Sequence, residues 1–476
     1  MSKVRKVAKN TIINFSSAFV VAVFQLLFNI ILARYFGSAG YGFISYAISF
    51  IFILLAFNDL GLSTIAIKDV ASDEKLAGKY ISNLFAFRGI VSLIIFFIAL
   101  AFVSFLQPDP VQKISMLLFV LSALFFMLMY DYRWIFQALQ VFEYDGMLNI
   151  IHSIIMLLMA LSVVFFKKGL IAIAFGWALV YFFSFTLGLI IVLRMSKHFR
   201  LSLDPVFIKK LFIPALPIGA IVIFSILYTN IDKILLFQMK GGTDVGWYSA
   251  AGKFVLFFRG LVAIYMPVIL PALANFHAEN NPYFDKLLKR SFNYILMTTL
   301  AVSVVGTILA RPIILFIFGA GFEGAIISLQ IILWAVPFLA ISMLFMNAFI
   351  CIDRQKENLI VVIFVLIFNL IFNLIFIPQY GYIATSVVMF LSEVLMFAVL
   401  LSYSYKYLKF KVPLRKIFQI CASLFVMGFF TRWMYPASFL VNIFLSALVY
   451  FTALIAFRGI DVDDWNLLKK IYLKQI

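Results

Sequence analysis

The residues of this sequence that could do chemistry are a few charged side chains deep within long apolar segments. Arg259 lies thirteen residues into the apolar segment 246–272, about 20 Å from its start at 1.5 Å per helical residue. Glu393 is similarly central in the segment 382–404. An ionisable group at such a depth costs about 2.5–3.5 kcal/mol to insert, so it usually faces protein or a water-filled cavity. Arg259 is therefore a candidate cation for an anionic ligand. Its alternative is a structural ion pair with Glu393, which could instead be a proton-coupling site.

Three further ionisable residues lie nearer the outer ends of their segments. Lys253 precedes Arg259 by six residues, which places the two side chains about 120° apart around one helix. A narrow stripe could not hold both, although a wide cavity could. Lys233 has Asp232 beside it as a ready ion-pair partner, so a binding role and a structural role both stay open there.

Arg88 and Asp59 lie near segment ends. Arg88 is about one turn inside the segment 82–106, and we expect its long side chain to snorkel to lipid phosphate. A position facing an internal cavity is the alternative. Asp59 ends the preceding segment just before Gly61, where it is either an ion-pair candidate or part of a helix-terminating turn.

A stripe of polar residues runs along the first apolar segment. Asn14, Ser17, Gln25 and Asn29 fall within an arc of about 120° at helical spacing. Such a stripe lines an aqueous path or forms hydrogen bonds between helices, and we favour the aqueous path. Asn369 and Asn373, four residues apart, are interpreted instead as interhelical hydrogen-bonding residues.

No pattern of catalytic or cofactor-binding residues occurs in the sequence. It has no phosphate-binding glycine-rich loop and no Ser/His/Asp set. The two cysteines, Cys351 and Cys421, lie in apolar surroundings, and the three histidines are scattered. We therefore predict no enzyme activity, no cofactor and no metal site.

The elements that must position these residues are membrane-spanning helices. Hydrophobic residues make up 65% of the chain and charged residues 12%, with a mean hydropathy of +1.10, which excludes a soluble protein. Segments long enough to span a bilayer predict an all-α polytopic membrane protein of about fourteen helices, over 11–33, 41–58, 82–106, 113–131, 146–166, 170–193, 214–238, 246–272, 290–309, 326–350, 358–377, 382–404, 414–431 and 438–457.

The distribution of basic residues predicts the topology. With a cytoplasmic N-terminus, inner segments hold 27 of the 38 Lys and Arg, outer segments hold 7, and four lie within spans. Basic residues favour the cytoplasmic side, so both termini are predicted to be cytoplasmic and the protein to lie in the cell membrane. The net charge of +18 is then a topology signal with attraction to anionic lipids, and nucleic acid is not an expected partner.

Two short matches indicate an internal repeat. Segment 42–47 aligns with 246–251, and 169–172 aligns with 381–384. Both offsets are close to 200 residues and six spans, so the copies share one orientation, as in a parallel repeat. We predict a six-helix bundle at 1–200, a second at 201–405, and two additional helices with a cytoplasmic tail at 406–476.

An ordered set of short motifs carries a resemblance to a known family. The motifs are ARYFG (33–37), GYG (40–42), DLGL (59–62), FQALQ (136–140), NIDKILL (230–236), GWYSA (246–250) and FG at 318–319 with Phe322. In this order, and over roughly residues 5–460, the chain resembles the polysaccharide transporter family of the multidrug/oligosaccharidyl-lipid/polysaccharide flippase superfamily, especially oligosaccharide flippases of the O-antigen type.

The resemblance implies two six-helix bundles around a central lumen that works by alternating access. Its implied substrate is a polyprenyl-phosphate- or diphosphate-linked oligosaccharide, moved from the cytoplasmic to the outer leaflet. Membrane lipids, a proton or sodium as coupling ion, and glycan-assembly enzymes are the implied partners. The substrate-binding candidates are Arg259, Lys253, Arg88, Lys233, Gln25, Asn29 and Asn14, and the coupling or ion-pair candidates are Glu393, Asp232 and Asp59.

Several other functions are weighed against this one. A cation antiporter of the multidrug extrusion type would need an acidic lumen and has twelve helices. Lipid II flippases share the fourteen-helix plan, but their arginine-rich first span is absent here, where Gln25 is the one strongly polar side chain at mid-span. A major-facilitator carrier would show a Gly…Asp-Arg loop, which 67–71 does not. A membrane glycosyltransferase would need a large external loop.

Overall fold

A computed structural model of the chain describes residues 3–106, 109–195, 201–279, 281–436 and 438–459, with the side chains of 3–16, 106, 264, 267 and 268 excepted. The described residues form fifteen α-helices and two short 3₁₀ turns, and no strand lies among them. The helices are α1 (Lys3–Asp59), α2 (Leu62–Ser72), α3 (Ala77–Leu106), α4 (Pro110–Ala138), α5 (Phe142–Phe165), α6 (Leu170–Met195), α7 (Pro205–Lys240), α8 (Gly242–Ala278), α9 (Tyr283–Ile308), α10 (Ala310–Ile317), α11 (Ala325–Ile332), α12 (Ala335–Cys351), α13 (Gln355–Tyr407), α14 (Leu414–Trp433) and α15 (Phe439–Ala456).

Two of these helices are each sharply bent at a glycine. The φ angle of Gly37 in α1 is 65° and that of Gly381 in α13 is 53°, a left-handed conformation that other residues adopt at a cost. The chain changes direction at each glycine while hydrogen bonding continues on both sides. Each helix therefore contains two of the predicted spans, 11–33 with 41–58 and 358–377 with 382–404.

The helices are long and apolar enough to cross a membrane. By length and composition, ten described helices could each span a membrane. The count rises to eleven if α11 and α12, which meet at 41°, form one broken span. The prediction of an all-α polytopic membrane protein is confirmed, while the number fourteen stays a prediction. α8 matches the predicted eighth span in position and is not among the ten.

The surface of the helices agrees with a lipid environment. Large apolar side chains are widely exposed, including Phe105 (91%), Phe165 (80%) and Phe425 (78%). A soluble protein rarely leaves extended apolar patches in contact with water. These side chains are expected to contact lipid tails.

The chain divides into two compact units, Met1–Gly246 and Trp247–Ile476. The predicted boundary near residue 200 follows the sequence repeat, whereas this division follows packing, so the repeat stays a prediction. In the first unit α4 packs on α6 and α3, while α1 packs on α5 and α7. A buried apolar core there includes Tyr132, Trp134 and Phe136 of α4.

The second unit is built around α9, α12 and α13. α9 contacts α12 and α14, and α14 pairs with α15. The Tyr450 hydroxyl of α15 donates to the carbonyl of Met297 in α9 at 2.9 Å. Inside the α14–α15 pair, Thr431 donates to Ser446 at 2.8 Å. The two C-terminal helices are thus held to this unit by buried hydrogen bonds as well as by apolar packing.

Candidate functional site

A buried cluster of charged residues lies in the first unit. Arg88 of α3 is 0% exposed, and its guanidinium donates to Asp131 of α4 at 3.0 Å. It also forms an ion pair with Asp59, at the end of α1, and donates to the Ser63 hydroxyl of α2 at 2.9 Å. One side chain therefore joins four helices.

A tight turn positions Asp59 in this cluster. The next two residues, Leu60 and Gly61, have φ angles of 48° and 80°, which reverse the chain between α1 and α2. The Asp59 carboxylate accepts a hydrogen bond from the backbone amide of Ser63 at 3.3 Å. This carboxylate thus stabilises the start of α2 and holds Arg88 at the same time.

The cluster corrects one sequence interpretation and adds one residue. The interpretation that Arg88 snorkels to lipid phosphate is wrong, because its guanidinium is fully buried and bound to protein carboxylates. Asp59 forms the ion pair considered for it. Asp131 was missed, because the fourth span was predicted to end at residue 131, whereas α4 continues to Ala138.

The second unit contains an arginine in the opposite situation. Arg259 lies in the middle of α8 and is partly exposed. Within the part of the chain that the structure describes, it forms no hydrogen bond and no ion pair. Glu393 of α13 is 3% exposed, and the ion pair considered between it and Arg259 is therefore not formed. Lys253 is partly exposed on the same continuous helix.

The remaining charged candidates, Lys233 and Asp232, are neighbours in α7. The Lys233 ammonium lies 3.7 Å from the Asp232 carboxylate and donates to the carbonyl of Thr229 at 2.9 Å. Asp232 is 5% exposed. This geometry agrees with a structural pair and leaves a binding role as a prediction.

The described side chains of the polar stripe in α1 form hydrogen bonds mainly with other residues of α1. The Asn29 side-chain amide donates to the carbonyl of Gln25 at 2.6 Å and accepts from the hydroxyl of Tyr41 at 3.1 Å. The Gln25 side chain is exposed. The Asn14 side chain lies outside the described residues.

Two asparagines of α13 form the contacts expected of interhelical groups. Asn369 donates to the Ser392 hydroxyl at 3.3 Å, and Asn373 donates to Asn369 at 3.0 Å. Since Gly381 lies between Asn369 and Ser392, the first of these bonds connects the two halves of the bent helix, whereas the second lies within one half.

A large apolar cavity lies between α8, α9, α14 and α15. Its volume is about 780 Å³, and its wall includes Phe254 and Phe258 of α8, Arg290 and Tyr294 of α9, and Tyr450 of α15. This cavity was not predicted from the sequence, because its wall is formed mainly by residues of four separate helices. A cavity of this size and lining suits an apolar chain with a polar end.

The described residues hold no group of three or more metal-ligating side chains. The notable features are one arginine bound to carboxylates inside a bundle, one arginine on α8 without such a partner among the described residues, and an apolar cavity whose wall includes other residues of α8. The arginine in that wall is Arg290, and Arg259 is not among the wall residues. An apolar wall with an arginine suits an amphipathic anion.

Comparisons with known proteins agree with this description. The family model described as "Polysaccharide biosynthesis protein" matches residues 7–277. No curated protein is similar enough in sequence to match.

Several solved structures have a similar fold. The inward closed conformation of the lipid II flippase MurJ has a TM-score of 0.79 at 20% identity, covering 93% of this chain and 98% of that one. An inward-facing multidrug resistance MATE family transporter of the MOP superfamily has a TM-score of 0.65 at 14% identity, covering 83% and 97%. A MOP superfamily transporter from Pyrococcus furiosus, described as having a binding pocket of reversed polarity, has a TM-score of 0.58 at 12% identity, covering 83% and 93%. At these identities the likeness establishes the fold.

Proposed function

Because the chain belongs to the polysaccharide biosynthesis protein family, we propose that it is a flippase for a polyprenyl-phosphate- or diphosphate-linked oligosaccharide. The lipid would move from the cytoplasmic to the outer leaflet by alternating access, to supply surface glycan assembly. The protein itself is proposed to be a transporter and not an enzyme.

The observation that carries this proposal is the state of Arg259. A guanidinium in the middle of an apolar helix is expensive unless a counter-charge or water stabilises it, and no protein carboxylate does so among the described residues. A phosphate or diphosphate supplies the missing charge and can accept two parallel hydrogen bonds from the guanidinium. Lys253 would add a second positive charge on the same helix.

The neighbouring cavity supports the lipid part of the substrate. Phe254 and Phe258 belong to its wall, and Arg259 follows Phe258 directly, so its side chain leaves α8 about 100° around the helix. The apolar wall and the cation thus lie on neighbouring faces of one helix, with Arg259 outside the wall itself. An isoprenoid tail in the cavity would keep its phosphate within reach of Arg259.

The other candidate residues support the proposal in secondary roles. Gln25, Asn29 and Asn14 would replace water around sugar hydroxyls, and Lys233 would add charge near the outer face. Arg88 is best suited to holding the first unit together, since both of its partners are protein carboxylates. A proton or sodium is the proposed coupling ion, with Glu393, Asp232 and Asp59 as candidate sites. Glycan-assembly enzymes are the proposed protein partners.

A reconstitution experiment tests this function. Purified protein in liposomes should transfer a labelled polyprenyl-diphosphate oligosaccharide between leaflets at a rate well above that of empty liposomes, and should not transfer labelled phosphatidylcholine. Lipid II and a cationic drug serve as comparison substrates. Preferred transport of either one would replace the proposal with a lipid II flippase or a multidrug antiporter.

The proposed location is the cell membrane, with both termini and the loops at 194–210 and 406–416 in the cytoplasm. The 27-to-7 distribution of Lys and Arg supports it. Single cysteines placed in those loops should resist an impermeant thiol reagent in intact cells and react after the cells are opened. Ready labelling in intact cells would overturn the topology.

A further inference from the structure

The cluster around Arg88 contains more negative than positive charge. Asp59 and Asp131 are two carboxylates, and Arg88 is one guanidinium. Arg88 and Asp131 are 0% exposed and Asp59 is 9% exposed. Two carboxylates that share a site disfavour simultaneous ionisation, particularly away from water.

Among the described residues, Asp131 has no second cationic partner besides Arg88. Arg133, two residues further along α4, forms an ion pair with Asp145 of α5 at 3.0 Å. The lone charged residue of α6 is Arg194, at its exposed end. On α2, Lys68 is exposed, and Asp69 accepts a hydrogen bond from the Tyr80 hydroxyl of α3 at 2.5 Å.

The two oxygens of Asp131 differ in their surroundings. Oδ1 accepts the hydrogen bond from Arg88, whereas Oδ2 is buried and has no hydrogen-bond partner among the described residues. Asp59 is different again, because its carboxylate binds both Arg88 and the amide of Ser63. These contacts stabilise the ionised form of Asp59, whereas one oxygen of Asp131 accepts no hydrogen bond from a described residue.

We propose that Asp131 binds an exchangeable proton on Oδ2, taken from water and returned to it during the transport cycle. With that proton the cluster is neutral, with one carboxylate, one guanidinium and one carboxylic acid. Without it, a net negative charge is buried, which favours opening of the cluster to water.

A proton fits this site better than a metal cation does. Hard metal cations need several oxygen ligands converging on one point, and the Arg88 guanidinium lies between the two carboxylates. Its positive charge repels a second cation. The described residues also include no group of three metal-ligating side chains.

The position of Asp59 couples protonation of Asp131 to movement of the neighbouring helices. Asp59 is followed by the turn at Leu60 and Gly61, which packs directly against the backbone of α7. A Cβ on Gly219 of α7 would clash with the Leu60 carbonyl oxygen, and one on Gly61 would lie 2.6 Å from the carbonyl oxygen of Ala215. α7 also contains Pro214 and Pro217, which weaken its hydrogen bonding at that level. A change in how Arg88 divides its bonds between the carboxylates would therefore move this turn and α7.

Infrared spectroscopy of the purified full-length protein tests the proton directly, without any substrate. Wild-type protein at about pH 7 should show the C=O absorption of a buried carboxylic acid. Asp131→Asn should lose the Asp131 component of this absorption, so that only a component from another buried acid, such as Glu393 at 3% exposed, stays. Asp59→Asn should lose the Asp131 component as well, because Asp131 then ionises against Arg88 alone. Asp145→Asn, which removes a carboxylate paired to Arg133, is the matched control and should keep it.

Three results would overturn the proposal: no such absorption in the wild type, an unchanged absorption in Asp131→Asn, or loss of the Asp131 component when sodium replaces potassium in the buffer. If Asp131→Asn does not fold, the infrared spectra of the wild type and of Asp59→Asn still test the proposal. The consequence for transport rests on the proposed function and is measured separately in liposomes. There, a pH gradient should change the flipping rate of the wild type and leave that of Asp131→Asn unchanged. A correct infrared result without any flipping would reject the flippase and keep the proton site.

Discussion

Arg88 and Arg259 are both arginines within apolar helices, and their surroundings differ completely. Arg88 is fully buried with two carboxylates and a serine hydroxyl, while Arg259 is partly exposed and has no partner among the described residues. The comparison teaches that depth in a span does not by itself mark a binding residue. What distinguishes the two is whether the protein has already supplied the counter-charge.

The largest effect is expected from removing Arg88. Arg88→Ala leaves two buried carboxylates without their cation, and breaking a buried ion pair in this way costs about 3–5 kcal/mol. The protein should therefore fall sharply in membrane abundance and in unfolding temperature. Arg194→Ala, at the exposed end of α6, is the matched control and should be nearly silent. Normal abundance of Arg88→Ala would remove the contrast between the two arginines.

A double variant tests the conclusion that Arg259 and Glu393 do not neutralise each other. Because Arg259 forms no ion pair with Glu393, removing both charges should not restore what either single change loses. Arg259→Ala/Glu393→Ala should flip substrate no faster than the slower single variant, with abundance and flipping measured separately. Recovery of flipping in the double variant would show that the two residues neutralise each other in the working protein.

The smallest effect is expected from a polar contact that is internal to the second unit. The Ser303 hydroxyl donates to the carbonyl of Leu333 at 2.7 Å, and such interhelical bonds in membranes contribute about 0.6 kcal/mol on average. Ser303→Ala should lower the unfolding temperature slightly and leave flipping unchanged. If flipping were lost at normal abundance, polar groups bonded to protein would also have to be counted as working residues.

The sequence predicted the elements better than their contacts. Hydropathy located the helices because each span must be apolar over its whole length. It also separated the two spans within α1, which the kink at Gly37 divides although the residues on both sides form one continuous helix.

The site was predicted unevenly for a related reason. Arg259 was singled out from its depth in the span, and its binding role stays a prediction. Asp131 was missed because its neighbour Arg133 made the end of α4 look like a loop, although Arg133 pairs with Asp145 within the bundle. Both the burial of Arg88 and the apolar cavity depend on contacts between residues of several helices. Such long-range contacts leave no recognisable pattern within any one segment of the sequence.

The central claim is that Arg259 binds the anionic part of the substrate, and one measurement tests it most directly. Flipping of a labelled polyprenyl-diphosphate oligosaccharide should be compared in liposomes holding equal amounts of folded wild type, Arg259→Ala, Arg259→Lys and the control Arg194→Ala. We predict that Arg259→Ala loses nearly all flipping, and that Arg259→Lys keeps part of it, since the charge remains while the two-pronged hydrogen bonding is lost. The Arg194→Ala control should match the wild type. Wild-type flipping by correctly folded Arg259→Ala would contradict the account.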